Sequence, residues 1–193
     1  MGNRKKEEYL FSGPGVSPDG HVAESTGFVR ATTDRVFKIM LSDDRVAEAL
    51  ISDSFRDIKI MDRPTKIKII GKGETKISLR GKRSNAVVDY HAIINNRDRA
   101  IIEMQILRHN NFDKRVLFHA ASTFANQEFE GGSEWHSQIK NIYAIQFLDY
   151  STLGNGNFRK YYWVRDKYSG RDLEGIFLIQ NELKFSGLNS GDR

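Results

Sequence analysis

The stretch from Ala86 to Leu107 restricts what this chain can fold into more than any other part of it. Two apolar runs, Val87-Val88-Asp89-Tyr90-His91-Ala92-Ile93-Ile94 and Ala100-Ile101-Ile102-Glu103-Met104-Gln105-Ile106-Leu107, flank Asn95-Asn96-Arg97-Asp98. Strand-forming runs on either side of a short turn-forming segment are the pattern of an antiparallel hairpin. Alternation places Val87, Asp89, His91 and Ile93 on one face of the first strand, and Ile101, Glu103, Gln105 and Leu107 on one face of the second. A three-residue loop, Asn95-Asn96-Arg97, sets Asp89 opposite Glu103 with β-carbons about 5 Å apart. A five-residue loop sets Asp89 opposite Gln105 instead. Either register gathers two acids and an amide beside strand interior, an unfavourable grouping unless a cation sits between the carboxylates.

Taken singly, an acid in a strand reads as a rim residue or an ion-pair partner. The spacing changes that reading. An acid, a hairpin, then acid-x-polar on the next strand is the arrangement in which two carboxylates hold a divalent ion and the residue two positions on orients a water for phosphodiester hydrolysis. The chain has no cysteine, which excludes disulfides and thiolate zinc sites. Carboxylate oxygens favour Mg²⁺ or Mn²⁺.

The rest of the chain supplies a sheet and helices around this hairpin. Residues 1–27 combine Gly13-Pro14-Gly15 and Ser17-Pro18-Asp19-Gly20 with no apolar period, which reads as a flexible tail, leaving 28–193 as a single domain. Thr33 is a candidate N-cap for a helix through Leu41, and Ser42-Asp43-Asp44 for a second one through Val46, Ala49 and Leu50. Ile58, Ile60, Ile67, Ile69 and Ile77 alternate with polar residues as half-buried strands do, while Gly71-Lys72-Gly73-Glu74-Thr75-Lys76 reads as a turn. Phe112, Val116, Ala120 and Phe124, widened by Leu117 and Ala121, predict an amphipathic helix from Phe112 to about Glu130. Ile139 to Tyr150 reads as a buried strand, and Tyr161 to Val164 and Ile176 to Ile179 as shorter ones. The expected class is α/β, a central mixed β-sheet flanked by α-helices.

At this point the residues reach a known pattern. Ile101-Ile102-Glu103-Met104-Gln105, preceded by Val88-Asp89 and followed by Phe112-Asp113-Lys114-Arg115-Val116-Leu117-Phe118, resembles the PD-(D/E)XK nuclease family transposases, or recombination-promoting nucleases. Asp34-Arg35-Val36-Phe37-Lys38 is similar to the family's opening helix, and Tyr143-Ala144-Ile145-Gln146-Phe147-Leu148-Asp149-Tyr150 to its buried strand. The likeness runs over roughly residues 33–185, through Leu173-Glu174-Gly175-Ile176-Phe177 and Leu183-Lys184-Phe185. It implies a restriction-endonuclease-like core and Mg²⁺- or Mn²⁺-dependent cleavage of DNA, with a link to transposition or recombination. Carried across, Asp89 and Glu103 are the implied metal ligands, and Gln105 stands where the wider superfamily has lysine, a replacement this family commonly shows. A neutral amide orients water but does not stabilise developing charge as an ammonium does. Lys114 or Arg115 is a candidate for the missing cation, and Asp34 either for a third acid or for a first-turn residue that complements the helix dipole.

Charge points the same way. The net charge is +5, and Lys59 to Arg83 holds nine basic residues against two acids. Lys66, Lys68, Lys82 and Arg83 are candidate phosphate contacts; the alternative is the solvated face of a two-stranded ribbon. Gly71 to Lys76 lacks the spacing of a phosphate-binding loop. His91, His109, His119 and His136 lack paired zinc spacing, and His91 reads as a packing or supporting residue. Trp135 and Trp163, with Tyr161 and Tyr162, read as base-stacking candidates or as cross-strand partners. DNA is the expected partner, with an RNA substrate and a homo-oligomer left open, and no membrane or small-molecule cofactor is expected. The absence of an apolar leader makes the cytoplasm the expected compartment. The alternative to cleavage is an inactive nuclease-fold module that binds nucleic acid or a protein partner.

Overall fold

The computed structural model describes residues 34–58, 64–78, 85–150, 152 and 158–183, with backbone alone at 34, 72–78 and 85–87. All of them fall within one compact unit, Ala31–Arg193. The expected tail over 1–27, Ile60, Lys82 and Arg83 lie outside the described residues.

Helices α1 (Asp34–Ser42) and α2 (Asp44–Ser54) come first. Asp43 ends one and starts the other: its extended backbone and its carboxylate, accepting from the Arg45 N–H at 2.9 Å, cap α2. The Arg45 guanidinium, and after it that backbone hydrogen bond, hold the Asp43 carboxyl below its ordinary range. Strands β1 (Ile67–Ser78), β2 (Asn85–Ile94) and β3 (Asp98–Gln105) follow, then α3 (Phe112–Ala125), a 3₁₀ turn at Trp135–Gln138, and strands β4 (Ile142–Leu148), β5 (Arg159–Arg165) and β6 (Asp172–Glu182).

The six strands form one sheet in the order β1-β2-β3-β4-β6-β5. Its central β3-β4 and β4-β6 pairs are parallel and its outer pairs antiparallel, so the sheet is mixed, as expected. A parallel β3-β4 pair demands a crossover, which α3 provides. On one face α1 and α2 bring Phe37, Leu41, Ile51 and Phe55 onto Tyr90, Ile102, Tyr143, Ile145, Phe147 and Phe177. The Tyr143 ring stacks on Phe177 at 5.2 Å and meets Phe55 edge-on at 5.1 Å. On the other face α3 lays Phe112, Val116 and Ala120 over Val88, Ile101, Ile142, Ala144 and Leu148. No helix among the described residues is long and apolar enough to cross a membrane.

Several element boundaries differ from the sequence reading, each for a physical reason. Ile58 sits in no strand; it plugs the core after α2, 8% exposed, and among the described residues that follow, pairing begins at Ile67, beyond Pro64, which has no N–H to donate. The segment from Gly71 to Lys76 is strand rather than turn, and its glycines fall where the β1-β2 register shifts. α3 stops at Ala125 instead of Glu130, because the Gln127 amide clamps Lys140 through both its backbone groups, at 3.0 and 2.8 Å, and so fixes the crossover chain. β4 is shorter than expected, and β5 and β6 are longer. On α3, Leu117 is half exposed and Ala121 faces solvent, while His119 takes a buried position.

This assignment of faces is open to measurement. Phe177→Ala should lower the unfolding free energy by about 3–5 kcal/mol in urea, whereas Leu117→Ala should change it by less than about 0.5 kcal/mol. Equal effects would contradict the burial described here.

Candidate active site at the end of the central strands

The loop between β2 and β3 has three residues, with Ile94 paired to Asp98. Asn95 and Asn96 adopt left-handed backbone at φ 53° and 57°, which asparagine tolerates better than most residues. The Asn95 side chain is also an anchor, its carbonyl accepting from the backbone of Thr65 and Lys66 at 3.0 and 3.1 Å. From this loop the register counts back through Ala92↔Ala100 and His91↔Ile101 to Tyr90↔Ile102, and the paired residues end there.

Asp89 is the next residue, and here the strand departs from simple alternation. Val88 packs under α3 while Tyr90 packs under α1 and α2, although regular alternation puts both on one face. On the other side of β2 the pairing jumps from Lys72↔Tyr90 to Thr75↔Val88, so two residues of β1 oppose Asp89 alone. A bulge of this kind rotates the strand and re-aims the side chain. The Asp89 carboxylate accordingly accepts the Met104 N–H at 3.0 Å, from the peptide that joins Glu103 to Met104, and lies 3.4 Å from the Lys38 ammonium on α1. The expectation that Asp89 simply shares a strand face with Val87, His91 and Ile93 is thus corrected, because the bulge turns the chain at that residue.

Glu103 points to the α3 side and is 6% exposed. His119 Nδ1 lies 2.6 Å from one of its oxygens, and the Arg115 guanidinium 3.6 Å from the other. An ionised Glu103 accepts, so the short contact needs the hydrogen on Nδ1. Arg115 and His119 are one turn apart on α3 and therefore reach the same strand. Gln105 is held at both ends: its amide oxygen accepts from Arg115 at 2.5 Å, and its nitrogen donates to the Leu107 carbonyl at 2.8 Å. Arg115 also lies over the Phe112 ring at 5.2 Å, which fixes its orientation.

The polar row continues across the sheet. In the parallel register Glu103 faces Gln146 and Gln146 faces Gln180, while Gln105 leads through Leu148 to Glu182. Gln180 donates to Asp113 at 3.0 Å, and Lys160 pairs with Glu182 at 2.7 Å. Gln146 is almost fully buried, and its amide oxygen has no donor among the described residues. These groups collect where the parallel strands end, the usual location of sites in open α/β sheets.

Other sequence candidates lie elsewhere. Lys66 and Lys68 are exposed at the hairpin end of edge strand β1, Lys68 opposite Ile93, about 13 Å of strand from Asp89. Alternating with Ile67 and Ile69, they also discourage further strand pairing at that edge. Lys114 is exposed near the start of α3, apart from the Glu103–Arg115 contact. Asp34 opens α1, and its side chain is outside the described set. His91 has a buried Nε2 without a partner among the described residues, and burial, then the charge of Arg99, pushes its pKa down.

The sequence pattern of the PD-(D/E)XK nuclease family transposase matches residues 31–183. The chain belongs to that family. No curated protein and no solved structure matches it. Family membership brings the restriction-endonuclease-like fold, which the mixed sheet with helices on both faces displays, and a nuclease-type function. PD-(D/E)XK nucleases usually use divalent metals, and a nuclease family would bind DNA.

The donor set suits such an ion in part. No group of three or more His, Asp or Glu side chains converges into a ready cage among the described residues. Mg²⁺, however, is commonly held by one or two carboxylates and keeps several waters. Asp89 and Glu103 offer those oxygens, and Lys38, Arg115 and His119 gather beside them, as the local negative charge requires. The unpaired Gln146 oxygen beside Glu103 adds an acceptor for a hydrated cation.

Sequence reasoning selected Arg115 as one of two candidates but assigned nothing to Lys38 or His119. Helical spacing was the available signal: Lys38 follows the inward-facing Phe37, and His119 lies four residues after Arg115. A double-mutant cycle measures the His119–Glu103 contact. Glu103→Met and His119→Phe should each destabilise the protein, and the pair should be about 1.5–3 kcal/mol more stable than their sum. Strict additivity would remove the contact from this account.

Proposed function

We propose that this family member is a divalent-metal-dependent endonuclease that hydrolyses phosphodiester bonds in DNA, with Asp89 and Glu103 holding Mg²⁺ or Mn²⁺. The observation that carries the reading is the hydrogen bond from the Met104 N–H to Asp89, which ties one carboxylate to the backbone of the Glu103-Met104-Gln105 motif. When bound, the ion supplies Lewis acidity at the phosphate and favours deprotonation of the attacking water.

The protein's own groups do the rest. Gln105 has one N–H and one carbonyl lone pair left after its contacts with Arg115 and Leu107, enough to orient a water by hydrogen bonding. Arg115 brings positive charge onto the Gln105 oxygen, close to where a lysine at position 105 would bring its ammonium, and so offsets that substitution. His119 positions Glu103 through the 2.6 Å contact, and Lys38 does the same for Asp89.

A second reading has its own support. Three basic side chains already engage the two carboxylates, and position 105 carries no charge, as fits a nuclease-fold module that binds nucleic acid or a protein partner without cutting it.

Plasmid cleavage decides between them. The purified chain should cut DNA with Mg²⁺ or Mn²⁺ and not with EDTA, and Asp89→Ala and Glu103→Ala proteins that remain folded should not cut. Arg115→Ala should slow cutting by about 100-fold or more, with partial recovery in Arg115→Lys. No cleavage by any form would favour the binding module, and cleavage indifferent to metal and to both carboxylates would contradict the proposed site.

A further inference from the structure

Among the described residues α3 covers the sheet from β2 to β6 and nothing covers β5 on that face, and the gap forms an open cleft of about 1060 Å³ between the start of α3 and β5. Gln180 forms part of its floor, and the loop Arg108–Asn111 leads into it directly from Gln105. That loop joins the cleft to the proposed catalytic end of the sheet.

The lining combines two chemistries. Its charged side chains are Arg108, Lys114, Lys160 and Arg159 against one acid, Asp113, whose carboxylate is bonded to Gln180. Arg159 is committed to Asp53 and Asp57, and Lys160 is neutralised by Glu182. The exposed cations facing the cleft are therefore Arg108 and Lys114, both beside the first turn of α3, whose N–H groups also favour an anion.

The aromatic lining is equally discriminating. Tyr161 is tied through its hydroxyl to Ser54 and Asp57, Trp163 through its indole N–H to Asp172, and the Tyr150 ring meets Phe112 edge-on. Tyr162 differs: it pairs with Leu178 on the α3 side of the sheet and remains 47% exposed. An exposed aromatic face beside uncommitted cations is the combination that holds unpaired nucleic acid, bases stacking on the ring and phosphates meeting the basic groups. In a base-paired duplex both faces of each base are already stacked, so a lone tyrosine on a cleft wall favours a strand whose bases are free.

We infer that this cleft binds an unpaired nucleic-acid segment next to the cleavage site, a base stacking on Tyr162 and the adjoining phosphates meeting Arg108 and Lys114. The inference deepens the nuclease reading and rests on it for its biological sense, but binding can be measured separately from cutting.

The test uses the full chain in EDTA, where cutting is absent, with fluorescent oligothymidylate and a hairpin duplex of equal length titrated across a range of salt. The single strand should bind more tightly than the duplex. Tyr162→Ala should weaken single-strand binding by about tenfold while Tyr162→Phe preserves it. Replacing Arg108 and Lys114 together by alanine should reduce the slope of log affinity against log salt by about 1.4, the value for two phosphate contacts on a single strand. Circular dichroism of each variant confirms that the fold is retained, and Tyr162→Leu gives a second apolar replacement. Unchanged binding in Tyr162→Ala and Tyr162→Leu, or preference for duplex, would overturn the inference even if wild-type protein cuts plasmid. Binding of neither polymer would also overturn it and leave the cleft to a protein partner.

Discussion

A carboxylate placed between a sheet and a helix must be given partners, and the environment of Glu103 follows from that requirement. With 6% of its surface exposed, it lies where an unpaired charge is costly. Its partners arrive from α3, His119 on one oxygen and Arg115 near the other. Apolar packing of Phe112, Val116 and Ala120 fixes the position of α3, and that same packing sets the position of the two polar residues. Fold and site therefore share one interface.

The Asp89 side depends on a different device. A regular hairpin would pair β2 and β3 to the end and leave the Met104 N–H in the backbone ladder. The bulge opposite Asp89 lets a side chain take that N–H instead, and Lys38 on α1 meets the same carboxylate from the far layer. Helices on both faces of the sheet thus contribute to one end of it. In this arrangement a scaffold of paired strands supplies precision and an irregularity supplies direction.

Much of this was legible in the sequence because hairpins and buried strands leave period-two patterns. The apolar runs around Asn95-Asn96-Arg97 marked both strands and left two registers open, of which the structure has the one set by the shorter loop. The acids stood out because they interrupt those runs. Less legible was everything that depends on contacts distant in sequence. The bulge at Asp89 is a property of β1 against β2, with Gly73 and Glu74 of one strand opposing the single residue Asp89 of the other, and the glycines alone read as a loop. His119 reads as an ordinary helix residue until β3 is placed beneath it. Leu117 was assigned to the apolar stripe by spacing, yet the helix turns it outward, since four-residue repeats do not settle which edge of a stripe is covered. Lys66 and Lys68 were visible as charge, but only the β1-β2 register shows that they sit at the hairpin end of the sheet.

The account turns on whether Asp89 and Glu103 together form a cation site. Calorimetric titration of Mn²⁺ into the purified chain, with Asp89→Ala and Glu103→Ala alongside, addresses this without any substrate. One saturable site in the wild-type protein, lost in both variants while their folds persist, is the predicted result. Equal Mn²⁺ binding in all three proteins, or none in the wild type, would contradict it and leave the two carboxylates as structural partners of Lys38, Arg115, His119 and the Met104 N–H.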